Sequence, residues 1–484
     1  MVAGVVLILL TVLIAGLLGV FKSEERRRMS AAEQWQAAAN ELGLTLTRPQ
    51  RQELRLQGVL QGVPVRGDLK YVQQGKVKVR HLRLWVGSGG NIPKRLAVHS
   101  DSLLRSMSRM VSAERDDQIG DPDFDEQVEL PTLDASTCAA LSFGARTQLS
   151  RLIELGGDVR QGVVVFERPW NDEEEPTWLP RMLGWLAKLG RLLSVPPDAL
   201  HQRLVDNAVK DPSPGVRLQN LRFLAEPSTS TPPALLAAVG RSLLGDVNPK
   251  VRLLAAPLVG EEGHRVLGAL AADATLTTAL RVRAVEALGK GPAPAVATVR
   301  GLFTEAQPPE LVCAALAVVG QQGLSPLADV AIECTRSARE IVRAAAASSL
   351  GRLASPAAPN PQAEPVLIAL LSDASADVQR ASAEALGVFG SVAAVEPLLP
   401  LAEGFGRSQL RQAARGAIGR IQARLGNVEA GRVSLAHDHE LAGALDLADT
   451  PALRVGDLSL AEDAASEPEV AETGGPALSV DRRR

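Results

Sequence analysis

Two stretches decide the fold: Asp373-Ala-Ser-Ala-Asp-Val-Gln-Arg-Ala-Ser-Ala-Glu-Ala-Leu-Gly387 and Val342-Arg-Ala-Ala-Ala-Ala-Ser-Ser-Leu-Gly351. Each carries an aliphatic anchor, a small residue four places on, an aliphatic residue at eight and Gly at nine. The pattern recurs from anchors Val216, Val251, Leu280, Leu311, Val342, Val378 and Leu410, separated by 29 to 36 residues. Small residues at the fourth place are Ala255, Ala284, Ala315, Ala346, Ser382 and Ala414, with Asn220 as the exception.

Offsets 0, 4 and 8 share one helical face, so each copy predicts a helix with a buried stripe. A small residue in the middle of that stripe lets neighbouring helices approach closely. The Gly at nine reads as a left-handed cap that ends the helix. A second aliphatic helix follows each copy, as in 233–244, 294–303, 326–332, 365–371 and 392–401. Asp211, Asp246 and Asp373 each stand five residues before an anchor and read as caps of the next helix. Arg217, Arg252, Arg281, Arg343 and Arg411, each one past an anchor, read as an inter-repeat hydrogen-bond ladder, with Val312 and Gln379 as exceptions.

These residues resemble HEAT repeats, specifically the short HEAT-like type named for phycobilisome lyases, over about 205–424. The resemblance implies a right-handed α-solenoid of helical hairpins and a curved surface for binding other macromolecules, not a reaction. With 180–193 and 197–209 as an atypical cap, the solenoid covers 179–424.

The N-terminus carries twenty apolar residues, 2–21, followed by Lys22, Arg26, Arg27 and Arg28. Twenty residues of helix span about 30 Å, the thickness of bilayer hydrocarbon. Basic residues on the C-terminal side place the N-terminus outside and the rest in the cytoplasm. A cleaved signal peptide would carry its basic residues on the other side. The sequence therefore predicts a transmembrane anchor at 1–21, a basic juxtamembrane segment at 22–30, and a bacterial single-pass inner-membrane (plasma-membrane) protein. The expected membrane contact is residues 2–21.

Residues 31–167 read as a small α+β domain, an antiparallel sheet with helices on one side. Helices are expected at 31–42, 101–111 and 143–155, and strands at 54–60, 63–67, 76–86 and 159–166. The alternation slips near His81, which reads as a bulge. Asp121, Asp123 and Asp125 copy the start of a calcium loop, but Glu126 stands at its glycine place and Thr132 at its twelfth. Residues 168–178 read as an acidic linker. Residues 425–484 hold 12 acidic and 5 basic side chains and read as a disordered acidic tail. A short motif recurs there: Gly431-Arg-Val-Ser-Leu-Ala, Gly443-Ala-Leu-Asp-Leu-Ala and Gly456-Asp-Leu-Ser-Leu-Ala. Such elements suit docking by strand addition.

Composition narrows the function. Aromatics are 3% and net charge is -3. Residues 206–424 hold 21 basic and 19 acidic side chains and four aromatics, all Phe. Neither a phosphate-tracking stripe nor a base-stacking platform follows, so no nucleic acid is expected. Cys138, Cys313 and Cys334 form no disulfide or zinc pattern and read as buried thiols. His264 reads as a helix-start residue. No phosphate loop, dinucleotide fingerprint or nucleophile elbow occurs. The expectation is therefore mainly α, with no catalytic, cofactor-binding or metal residues. Its partners are other proteins, met through the solenoid surface and the tail, and its role is that of a non-enzymatic scaffold on the cytoplasmic face of the membrane. The alternatives are a ligand-sensing α+β domain coupled to the solenoid, and a lyase-like enzyme.

Overall fold

The computed structural model describes residues 30–98 and 118–426, with strands at 433–435 and 445–447, apart from 51, 88, 129, 131, 172–174, 305, 355–360 and 405–407. Helix α1 (Ala31–Leu42) begins at a capping box: the Ser30 hydroxyl accepts from the Glu33 N–H, and the Glu33 carboxylate accepts from the Ser30 N–H. Strands β1 (Thr45–Thr47), β2 (Leu54–Leu60), β3 (Val63–Gln74) and β4 (Val77–Gly87) follow. Then come α2 (Pro122–Gln127), α3 (Ala135–Ala140), α4 (Phe143–Glu154), β5 (Asp158–Arg160) and β6 (Val163–Pro169). The sheet runs β1-β2-β3-β4-β6-β5, antiparallel throughout.

One sheet face buries Leu56, Val65, Leu69, Leu82, Leu84, Val86, Val164 and Phe166. It lies under α1, whose Trp35 is fully buried, and under α5 (Trp178–Leu193). Trp170 meets Trp35 edge to face at 6.2 Å, so the chain beyond the last strand is held in this core. The opposite face is charged: Arg55 and Arg66 both bond Asp68 at 2.7 Å, Arg83 bonds Glu167, and Trp85 lies between Arg66 and Arg83. The expected bulge at His81 is absent. β3 and β4 pair in one unbroken register from Val65↔Val86 to Gln74↔Val77. The alternation slips because the outer hairpin passes beyond the covering helices, leaving Val77 63% exposed.

The second half is two layers of helices. The first anchor helix is α7 (Pro214–Ala225), preceded by α6 (Leu200–Lys210) and followed by α8 (Pro233–Leu243). The chain continues through α9 (Pro249–Ala255), α10 (Glu261–Ala272), α11 (Thr278–Leu288), α12 (Val296–Arg300) and α13 (Pro309–Gln321). It ends with α14 (Ala328–Cys334), α15 (Glu340–Leu353), α16 (Ala363–Leu370), α17 (Ala376–Phe389), α18 (Val395–Glu403) and α19 (Ser408–Gly426). The odd-numbered helices from α7 to α19 stack on one another as one layer. All six small residues at the fourth place are fully buried.

Two sequence expectations are corrected here. The Gly at the ninth place is not a left-handed cap: Gly320, Gly351 and Gly387 lie inside α13, α15 and α17. A Cβ on Gly351 would lie 2.7 Å from the Ala385 Cβ, and one on Gly387 2.9 Å from the Ala417 Cα. Glycine is needed there because the next helix crosses. The conserved-spacing Asp is not a helix cap either. Asp211, Asp246 and Asp373 accept the N–H two residues on, from Ser213, Asn248 and Ser375, and so shape the turn before the helix.

The remaining carboxylate capacity takes a bidentate arginine from the preceding repeat. Arg217 donates to Asp246 at 2.8 and 2.8 Å, and Arg343 to Asp373 at 2.7 and 2.9 Å. The third nitrogen of each bonds a carbonyl five or six residues upstream. Asp211 is held by the two terminal nitrogens of Arg146 of α4, at 2.9 and 2.9 Å, and one of them also bonds the Leu141 carbonyl, five residues upstream. The sheet unit thus joins the solenoid through Arg146. Arg146 also bonds Asp121 at 2.7 Å, and the Ser213 hydroxyl donates to the Gly120 carbonyl across the same junction. One hydrophobic core runs without a break from Ala31 to Ala255.

The expected membrane-spanning helix, and with it the predicted fold class and the single-pass inner-membrane location, is corrected. Among the described residues no helix is long and apolar enough to cross a membrane. The 19-residue α19 carries Arg411, Arg415, Arg420 and Arg424, and the repeat helices bury only one stripe each. The fold described is mostly helical, with a six-stranded antiparallel sheet near its N-terminus. Residues 1–29 and the expected helix at 101–111 lie outside the described residues. In the tail, β7 (Val433–Leu435) and β8 (Leu445–Leu447), from the first two motif copies, pair antiparallel with each other. The rest of 427–484 lies outside the described residues.

Arg146→Ala leaves Asp211, whose side chain is 1% exposed, as an unpaired buried carboxylate. A loss of about 3–5 kcal/mol in urea unfolding is expected, with little rescue by Arg146→Lys because the two-pronged geometry is gone. Asp373 offers a pH test. The Arg343 bond, with the Ser375 N–H, holds its carboxyl below the usual range against the opposing effect of burial. A lowered folded-state pKa contributes stability above the unfolded value of about 3.9 that is lost as pH falls through the folded one. Asp373→Asn is therefore expected to flatten the fall in melting temperature below about pH 4, while costing roughly 1–3 kcal/mol at neutral pH.

Candidate functional site: a basic cavity where the clamp is missing

Between α9 and α11 the arginine clamp fails. Thr275 stands where the pairing Asp would be, and Arg252 Nε is buried without a hydrogen-bond partner among the described residues. Arg281 turns instead to the Ala271 carbonyl at 2.8 Å and to Gln307 at 2.5 Å. The anchor helix is also short. Pro257 lacks the N–H that would bond the Leu253 carbonyl, so α9 stops at Ala255 and a single 3-10 turn, 256–258, follows. Gly260 then turns the chain with φ 66° into α10.

These departures leave a cavity of about 390 Å³ between α7, α9 and α11. Its apolar surface includes Leu218, Leu253, Leu254 and Ala287; Arg222, Lys250, Arg283, Lys290 and His264 also line it, with Glu286 as the single carboxylate. The four cationic side chains are exposed. Arg222 donates to Gln219 at 3.3 Å, and no ion pair holds Lys250, Arg283 or Lys290 among the described residues. Four cations around one carboxylate give the cavity a positive potential, which raises the local concentration of anionic groups. His264, in the first turn of α10 as expected, lies against Gly291, where an added Cβ would strike its ring. The cavity can hold an aliphatic side chain on its floor and carboxylates at its rim.

The other residues singled out in the sequence lie elsewhere. Asp121 bonds Arg146, and the Asp125 carboxylate accepts the Ile119 and Gly120 N–H groups at 3.0 and 2.9 Å. Asp125 is pushed up by burial. The shallow concavity beside them, about 560 Å³, includes Asp123, Phe143, Arg151 and Glu154. Among the described residues no three His, Cys, Asp or Glu side chains gather as a metal site requires. The thiols are pushed up by burial, Cys138 well above the usual range and Cys334 to about 11, so all three stay protonated at neutral pH. The sequence did not single out Lys250, Arg283 or Lys290. Its near-balanced charge count contains them, but only the stacking of three helices brings them to one cavity.

Exposed, unpaired charges contribute little to folding. Arg283→Glu and Lys290→Glu are expected to change unfolding free energy by less than about 0.5 kcal/mol in thermal or urea melts, against the large cost at Arg146.

A family model for HEAT repeats matches residues 328–419. No curated protein matches the chain. Among solved structures, an engineered protein is 21% identical, with 46% of this chain and 96% of that one covered and a TM-score of 0.24. The CpcE–CpcF complex of phycocyanin lyase from Nostoc is 16% identical, over 49% of this chain and 95% of that one, with a TM-score of 0.28. The E. coli protein YibA is 13% identical, over 47% and 97%, with a TM-score of 0.28. None of the three bears on activity or lends support to a bacterial, membrane-anchored origin. Residues 328–419 match HEAT repeats, within a longer run of helices that share their spacing.

Proposed function

We infer that this protein is a non-enzymatic scaffold that binds other proteins through its HEAT-repeat solenoid. The observation that carries the reading is the open cavity between α7, α9 and α11. Unpaired cations ring an apolar floor there, where the inter-repeat clamp is broken. Repeat solenoids present extended surfaces built from successive helices, and such surfaces bind by shape and charge. The partner class that fits is a protein segment with alternating aliphatic and acidic side chains. Its aliphatic groups would cover Leu218, Leu253 and Leu254, and its carboxylates would meet Arg222, Lys250, Arg283 and Lys290. The sheet unit, welded to the first repeat through Arg146 and Asp211, fixes one end of this surface.

The test is proximity labelling from the full chain, wild type against Arg283→Glu/Lys290→Glu. Loss of most specifically labelled proteins in the variant, at unchanged melting temperature, is the expected result. An unchanged labelling pattern removes the cavity from the binding surface.

A further inference from the structure

We propose that the basic cavity is occupied in the native chain by its own acidic segment 457–472, so that a partner must displace the tail to bind. The proposal rests on the reading of this cavity as a site for acidic protein segments and adds the resident occupant.

Charge complementarity comes first. Asp457-Leu-Ser-Leu-Ala-Glu-Asp-Ala-Ala-Ser-Glu-Pro-Glu-Val-Ala-Glu472 carries six carboxylates and no Lys or Arg. It opens on the third copy of the tail motif, with Leu458 and Leu460 beside the first carboxylate. The cavity supplies the converse: an aliphatic floor and four cations against one carboxylate. From α12 to α19 several arginines are already engaged: Arg300 with Asp329, Arg343 with Asp373, Arg380 with Asp377 and Glu384, and Arg424 with the Gly387 and Gly390 carbonyls; exposed Arg336, Arg339, Arg352 and Arg420 form no ion pair among the described residues but do not line this cavity.

Reach comes second. α19 ends at Gly426, and 30 residues separate it from Asp457, with the β7–β8 hairpin bringing Val433 and Leu447 together. The seven positions before the hairpin and the ten after it, at about 3.3 Å each when extended, span up to roughly 55 Å. Four helix-to-helix steps separate α19 from α11 in the anchor layer, each about 8–10 Å, or about 40 Å in all. A tether that long holds its end at high effective concentration, so weak individual contacts suffice for occupancy.

The lysine distribution supplies a direct readout. Beyond residue 178 the chain has four lysines, Lys188, Lys210, Lys250 and Lys290, all exposed. Two line the cavity and two do not. A zero-length carbodiimide joins a carboxylate to an amine only when they touch. Treated with it at low salt, the full chain is expected to show intramolecular links from 457–472 to Lys250 and Lys290, at least about fivefold above those to Lys188 and lost in Arg222→Glu/Arg283→Glu. Equal linking to all exposed lysines, or links that survive the charge reversal, overturns the proposal. So do links formed only between molecules, detected by mixing isotopically labelled and unlabelled chains.

A second measurement separates this failure from failure of the site reading. A fluorescent peptide of sequence 456–473 is titrated onto the full chain and onto a full chain whose six carboxylates at 457–472 are replaced by amides. Binding about tenfold tighter to the amide form is expected, because self-occupancy masks the native site. Equal binding to both shows an open cavity and ends the tail proposal while the acidic-segment site stands. No binding to either ends both.

Discussion

Arg146 and Asp211 meet in a place almost without water. The arginine is 2% exposed, the aspartate side chain 1%, and two hydrogen bonds of 2.9 Å hold them together. Such a pair is costly to bury and costlier to break, because removing one partner leaves the other charge unsolvated. It therefore specifies position more than it adds stability. It sets α4 against the turn before α7 in the relation that Arg217 has to Asp246 and Arg343 to Asp373. The sheet unit is thereby tied to the start of the stack. The hydrophobic core continues across this junction, and Gly120 and Gly215 touch there without room for side chains.

Clamp loss and a shortened helix coincide where the surface opens. The clamp ties α7 to the turn before α9 and α15 to the turn before α17, while α11–α13, α13–α15 and α17–α19 stack without it. At α9 two changes coincide: the pairing aspartate is Thr275, and Pro257 halves the helix. The helices on either side are then no longer locked together, and the gap between them fills with exposed cations instead of packed aliphatic groups. A lost clamp combined with a shortened helix makes this junction a natural place for recognition.

A helical stack built on alanine brings its helices close together. The thiols of Cys313 and Cys334 are raised by burial, and the acidic trio at 121–125 is engaged by Arg146 and by backbone N–H groups. What the molecule does present is charge at a concave surface on a rigid frame. That arrangement favours fast, salt-sensitive association with acidic segments.

The periodic anchors, the buried small residues and the aspartate five places before the anchor were legible in the sequence, because helix geometry repeats every few residues and leaves a local record. The α1 helix and most of the sheet were legible for the same reason. The ninth-place glycine was legible as a position but not as a role: helix ending and helix crossing both call for glycine, and only neighbouring Ala385 and Ala417 distinguish them. The apolar run at 2–21 carried an expectation of membrane spanning that no described helix supports. Arg146 gave no signal, since its partner lies 65 residues away and the sheet strands between interrupt the repeat spacing. The cavity was invisible too. Charge totals add residues along the chain, whereas Arg222, Lys250, Arg283 and Lys290 become neighbours only when helices from three successive repeats stack, and that is decided by tertiary packing.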